Sequence, residues 1–176
     1  MNYLFLDVDG VLNKPSTKAT SPSGALGVDE NLVCLLKKLV DTFDYKIVLT
    51  SSWRKEVSLK YEECTKDGKY LVDTLRKYGL EIYDKTLYKE RLEPFRGRLI
   101  LDWLEEKGKD CNRFIILDDF EFDFDRFEKL KPLVIQTRAL DNPRAMFKEG
   151  QNFIVKETIH VLLDEQKRLK KEGRTK

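Results

Sequence analysis

Four consecutive apolar residues, Tyr3-Leu4-Phe5-Leu6, run directly into Asp7-Val8-Asp9-Gly10 near the start of the chain. A continuous apolar run is what a strand buried on both faces requires, and such strands belong to parallel sheets covered by helices. The acids therefore stand at the carboxyl end of a buried strand, the edge of an α/β sheet beyond which ligands bind. If extended geometry persists, the two-residue period of a strand turns Asp7 and Asp9 to the same side, and Gly10 then lets the chain swing away. Two neighbouring anions are costly without a compensating cation or hydrogen-bond network. Mg²⁺ suits them, because it is a hard ion that takes oxygen ligands and bridges a carboxylate to a phosphate oxygen. Taken alone the pair also fits an acidic surface loop.

The pattern recurs further along. Phe114-Ile115-Ile116-Leu117 reads as a second buried strand ending in paired acids, Asp118-Asp119, which a parallel sheet would bring to the edge occupied by Asp7 and Asp9. Between them Tyr45–Leu49 reads as a strand ending at Thr50, whose hydroxyl can meet a phosphate oxygen. Ser51 or Ser52 can cap the helix that follows, and its N-terminus adds further donors. Arg96 or Arg98, just ahead of a helix, and Arg54 are the candidate cations for a phosphoryl group.

The remaining elements follow from periodicity. Asp29 can cap a helix carrying Leu32, Leu35, Leu36, Leu39 and Val40 at helical spacing. Residues 70–78 read as a helix ending at Gly79, residues 80–83 as a short strand, and the charged stretch 85–91 as a solvated connection. Residues 98–107 form a helix stopped by Gly108, with Trp103 on its core side, and 133–136 form a last strand. An amphipathic helix is expected over 156–169, followed by a basic tail. The segment between Gly10 and Gly27 reads as a loop or small hairpin. Alternating strands and helices give an α/β fold, a mostly parallel sheet with helices on both faces.

Composition narrows the class. A chain of 176 residues suits a single domain spanning 1–176, and 41% hydrophobic with 36% charged residues is ordinary for a globular protein. With 33 Lys and Arg against 31 Asp and Glu, the formal charge of +2 gives no global reason to bind a polyanion or a membrane. Cys34, Cys64 and Cys111 form no CxxC spacing, and Cys34 falls in an apolar helical run where burial accounts for it. His160 is the only histidine, so histidine triads and His-rich metal sites have almost nothing to build on. No apolar run approaches bilayer length and no leader is evident, so a cytoplasmic location is expected.

DVDGVLN after one strand, LTSSWR after a second, an arginine before a helix and ILDD after a later strand, in that order, resemble the haloacid dehalogenase-like (HAD) phosphatase superfamily. SSWR, RGRLILDWL and ILDD together are similar to the HAD domains of Swiss Army Knife RNA repair proteins, over roughly residues 1–140. The resemblance implies a Rossmann-like core with a minimal cap or none, since the segment from Val11 to Asp29 is too short for a cap domain. It also implies that Asp7 is the nucleophile and Asp9 the acid and then the base. Mg²⁺ is implied on Asp7, the Asp9 carbonyl and an acid of the last motif, with Asp119 favoured over Asp118. Thr50 would grip the phosphoryl group. Arg96, with Arg98 as the alternative, would stand where lysine is more usual, and Ser51, Arg54 and Arg98 would line the substrate. The implied partner is a phosphorylated substrate, with an RNA or DNA end suggested by the weakly covered site. A small-molecule or nucleotide phosphatase is the enzymatic alternative, and a catalytically silent nucleic-acid-binding module the non-enzymatic one.

Phe120, Phe122, Phe124 and Phe127 alternate with acids, so packing is expected there rather than base stacking. The terminal lysines and Arg138 and Arg144 are candidate contacts for a polyanion, alongside their ordinary role of meeting a helix C-terminus.

Overall fold

The computed structural model describes residues 1–88, 95–120, 122–127, 130 and 133–137. The expected helix over 156–169, the basic tail, Arg138 and Arg144 lie outside the described residues.

Among the described residues five strands form one sheet in which every pairing is parallel: β1 (Asn2–Leu6), β2 (Tyr45–Leu49), β3 (Ile82–Lys85), β4 (Arg113–Asp118) and β5 (Val134–Gln136). Their spatial order is β3-β2-β1-β4-β5, so the two acidic strands are central neighbours. Among the described residues three α-helices cover the sheet: α1 (Glu30–Phe43), α2 (Lys66–Lys77) and α3 (Arg96–Glu106).

The two-residue strand period divides the core into two layers. Leu4 and Leu6 of β1, with Ile47, Leu49, Ile115 and Leu117, meet Leu32, Val33, Leu36 and Leu39 of α1 and Leu71 and Leu75 of α2. Tyr3 and Phe5, with Val48, Phe114 and Ile116, meet Ile100, Leu101, Trp103 and Leu104 of α3. Edge-to-face contacts tighten that second layer, with ring centroids 4.9 Å apart for Tyr3 and Trp103 and 5.6 Å for Phe5 and Phe114. Trp103 is therefore core, as its helical spacing suggests.

Local chemistry sets the element boundaries. The Asp29 carboxylate accepts from the Asn31 amide at 2.9 Å and starts α1 as expected. Thr65 accepts from the Gly68 amide at 3.2 Å, so α2 begins at Lys66, a turn earlier than its apolar residues indicate. β3 is displaced from 80–83 to Ile82–Lys85 because its polar residues have internal partners. Asp84 receives the Trp103 indole and the Lys107 ammonium, each at 2.9 Å, while Lys85 donates to the carbonyls of Arg54, at 2.9 Å, and Val57. Lys85 is thus a half-buried tie between β3 and the chain beyond β2, not part of a solvated connection. Cys34 is exposed on α1 rather than buried.

The segment after β1 stays small. Thr20 and Leu26 form an isolated antiparallel bridge, the hairpin that the turn residues suggest, and no cap domain is inserted there. Among the described residues no helix is long and apolar enough to cross a membrane.

Gly68 sits so close to the chain before α2 that a Cβ there would lie 2.0 Å from the Glu56 carbonyl oxygen. Gly68→Ala should therefore lower stability by about 2–3 kcal/mol despite alanine's better helix propensity, comparable to the low end of about 2–5 kcal/mol for Leu36→Ala in the core. Thermal or urea unfolding of the two variants checks this, and an unchanged midpoint for Gly68→Ala would contradict the close approach.

Candidate active site

Parallel register brings the strand tips level. Leu6 pairs with Leu49 on one side and Leu117 on the other, and the ladder continues past the strands. The Asp7 amide donates to the Leu117 carbonyl at 2.9 Å, and the Thr50 amide to the Leu6 carbonyl at 2.8 Å. Asp7 continues the alternation of Tyr3 and Phe5, and Asp118 that of Phe114 and Ile116, so both are directed to the α3 side of the sheet.

Arg96 meets them there. Its Nη1 lies 2.9 Å from Asp7 Oδ2 and 2.8 Å from Asp118 Oδ2, and its guanidinium sits 4.1 Å from the centroid of the Phe122 ring. All three charged groups are buried. Burial, and then the Asp7 charge, raise the Asp118 pKa above the usual carboxylate range. Burial works against the charge of Arg96, but the two carboxylates outweigh it and hold the group protonated. Phe122 adopts a left-handed φ of 39°, a strained backbone for a bulky residue, and places its ring against that guanidinium.

Asp119 turns toward the first loop. A Cβ on Gly10 would lie 2.4 Å from its carboxylate carbon, and Gly10 has a φ of +75°, so the loop passes this acid only as glycine. Carboxylate oxygens of Asp7, Asp118 and Asp119 lie within 4.8 Å of one another, a spacing from which they can share one cation. With Arg96 the three acids leave a formal charge of −2, which a divalent ion would balance. The donors are all oxygen, the set that hard cations take.

Thr50 is buried, and its hydroxyl has no hydrogen-bond partner among the described residues. A buried hydroxyl left unsatisfied at a strand tip beside three acids is set to receive a ligand oxygen. The Ser51 hydroxyl instead accepts from the Trp53 amide at 3.3 Å and caps the short 3-10 helix Ser52–Lys55.

The arginines separate clearly. Arg96 joins the acids from the first turn of α3, which starts at Arg96 rather than at residue 98. Arg98 runs along α3 to Asp102 at 3.9 Å. Arg54 is fully buried, donating to the carbonyls of Ser51 at 2.9 Å and Leu87 at 3.3 Å beneath the Tyr88 ring.

Asp9 departs from the expected geometry. The Val11 and Leu12 amides donate to the Val8 carbonyl, so the chain turns directly after Asp7 and the strand period no longer applies. Asp9 is exposed, and its carboxylate accepts from Asn13 Nδ2 at 2.9 Å and from the Trp53 indole at 3.1 Å instead of joining the cluster.

Asp123 was not legible as a site residue. Its carboxylate accepts from the Gly97 amide at 2.6 Å and the Arg98 amide at 3.2 Å, capping α3 from a distant loop. No local spacing signals that contact. Within the same loop Phe124 and Phe127 are buried as expected, whereas Phe120 is 46% exposed, with its ring edge-on to Phe122 at 5.0 Å between centroids.

Comparison with known proteins agrees with the geometry. Residues 3–141 match the family described as the HAD domain in Swiss Army Knife RNA repair proteins. No curated protein and no solved structure gives a match. The match spans most of the chain, from the strand leading to Asp7 to beyond the strand tip bearing Asp118 and Asp119, and the chain therefore belongs to this HAD phosphatase family.

Proposed function

We propose that the chain, acting as one domain over residues 1–176, hydrolyses phosphomonoesters in two steps with Mg²⁺, and that its substrate is the phosphorylated end of a nucleic acid. The observation that carries the reading is the Arg96 bridge between Asp7 and Asp118 beside the unsatisfied Thr50 hydroxyl.

Asp7 is the nucleophile. One of its oxygens bonds to phosphorus while the ester P–O bond breaks, and the leaving oxygen takes a proton from Asp9. Water then attacks the aspartyl-phosphate, giving its proton to the Asp9 carboxylate, and phosphate leaves Asp7. Arg96 and Thr50 orient the phosphoryl oxygens, and Ser51 and Arg54 hold the chain around Thr50. Asp7, Asp119, Asp118 and the Asp9 carbonyl would hold Mg²⁺, which when bound supplies charge neutralisation at the phosphoryl oxygens. Asp118 also restrains Arg96, so Asp119 is the stronger candidate for direct coordination. Arg98 lies along α3 and is the weaker candidate for a substrate contact.

The nucleic-acid end is suggested by the family's description and by the short segment after β1, which holds a small bridge and no cap domain that would exclude a bulky leaving group. Release of phosphate from phosphorylated oligonucleotides, mononucleotides and sugars separates the possibilities. Preference for oligonucleotides supports end processing, and release from mononucleotides alone would assign a nucleotide phosphatase instead.

Asp7→Asn should reduce Mg²⁺-dependent phosphate release by about a thousandfold or more, and Arg96→Ala by about 10²–10³-fold, with the fold retained by circular dichroism. Wild-type-like turnover in Asp7→Asn would contradict the mechanism.

The raised pKa of Asp118 gives a pH dependence of definite sign. In the metal-free protein the folded state holds that proton more tightly than the unfolded chain. Its stability should therefore fall as pH rises from the ordinary carboxylate range toward neutrality. A cation must displace the same proton, so the rise in Tm on adding Mg²⁺ should be larger at about pH 8 than at about pH 5.5. Asp118→Asn should flatten the difference, and a Mg²⁺ effect independent of pH in the wild type would contradict it.

A further inference from the structure

We propose that Trp53 and Asn13 are positioning residues for Asp9, a two-donor clamp that holds the acid–base carboxylate at the mouth of the site, away from the three clustered acids; this rests on the hydrolase reading above. The Trp53 indole donates to Asp9 Oδ2 at 3.1 Å, and Asn13 Nδ2 donates to Asp9 Oδ1 at 2.9 Å. Each oxygen of a carboxylate has two lone pairs, so the clamp fixes the rotation of the group while leaving one acceptor position per oxygen. That is the requirement for a group that must deliver a proton to a leaving oxygen and later take one from water.

Both clamp residues are themselves held. Asn13 is buried, and its Oδ1 accepts from the Gly10 amide at 2.9 Å, locking it to the loop that bears Asp9. Trp53 is 7% exposed, with its ring centroid 6.5 Å from that of Tyr70 on α2. The Tyr70 hydroxyl in turn accepts from the Val28 amide at 3.0 Å. Trp53 belongs to the 3-10 turn that begins two residues after Thr50. One short stretch beyond β2 thus carries both the hydroxyl for the phosphoryl group and the donor that sets the acid, which couples their spacing.

The clamp is also what keeps Asp9 from the like charges of Asp7, Asp118 and Asp119. The Asp9 carboxylate is exposed, so a leaving oxygen can reach it from outside the buried cluster.

The test is the dependence of kcat/KM on the leaving group, since this constant reads the first phosphoryl transfer and only a poor leaving group requires the proton. Trp53→Phe keeps an aromatic side chain and removes the indole N–H. It should lower kcat/KM about tenfold for an alkyl phosphate and less than about twofold for 4-nitrophenyl phosphate, a smaller version of the pattern in Asp9→Asn. Asn13→Ala, which removes the second donor without adding a charge beside Asp9, should show the same selective loss and supplies the readout if Trp53→Phe does not fold. The Mg²⁺-induced rise in Tm should be unchanged in both, because neither touches the clustered acids. Equal losses on the two substrates, or no loss on either, would overturn the clamp while leaving the hydrolase intact. Undiminished turnover in Asp7→Asn would instead remove the reading on which it rests.

Discussion

Leu6 pairs in parallel register with both Leu49 and Leu117, so three strand tips end level and present Asp7, Thr50 and Asp118 along one edge. Everything in the site follows from that alignment. Hydrogen bonding past the strand ends fixes the backbone of these residues to its neighbours, and the strand period aims both acids at the start of α3. Buried carboxylates at such close range repel one another strongly in a medium of low polarity. Arg96 relieves part of that repulsion, and the remaining formal charge fits a divalent cation.

Arg96 in turn depends on a part of the chain with no obvious link to it. α3 has no capping side chain at its own N-terminus, and Asp123 supplies the missing acceptor by taking the Gly97 and Arg98 amides. The loop after β4 therefore serves the site twice, through Asp123 at the helix start and through Phe122 against the guanidinium. Asp123 and Phe122 are thus less a surface pattern than the frame that holds the bridging arginine.

The central strands, Thr50 and the two acidic tips were legible because apolar runs ending in polar residues have few readings in an α/β chain. Where polar residues found internal partners, the reading slipped. β3 shifted by two residues because Lys85 looks solvated until two carbonyls are placed around it, and Asp84 beside it is held by Trp103 and Lys107. α2 starts early because the Thr65 cap precedes a charged first turn without apolar residues. The expected pairing of Asp7 with Asp9 failed because the chain turns at Val8, a tertiary outcome stabilised by Asn13 and Trp53. Cys34 lies on a helix whose buried stripe passes beside it, so an apolar run around it did not imply burial.

Among the described residues the strand-tip groups are held by fixed contacts, the backbone bonds of Asp7 and Thr50 and the Arg96 bridge between Asp7 and Asp118. Catalysis by this site requires that phosphorus become bonded to the first of the strand-tip acids. Rapid acid quenching during turnover, reduction with borohydride and peptide mass spectrometry reads this directly, because an acyl phosphate is reduced to the alcohol and a free carboxylate is not. The expected result is conversion of Asp7 to homoserine only when Mg²⁺ and substrate are both present. Phosphate release with an unmodified Asp7, or modification at another acid, would contradict the account.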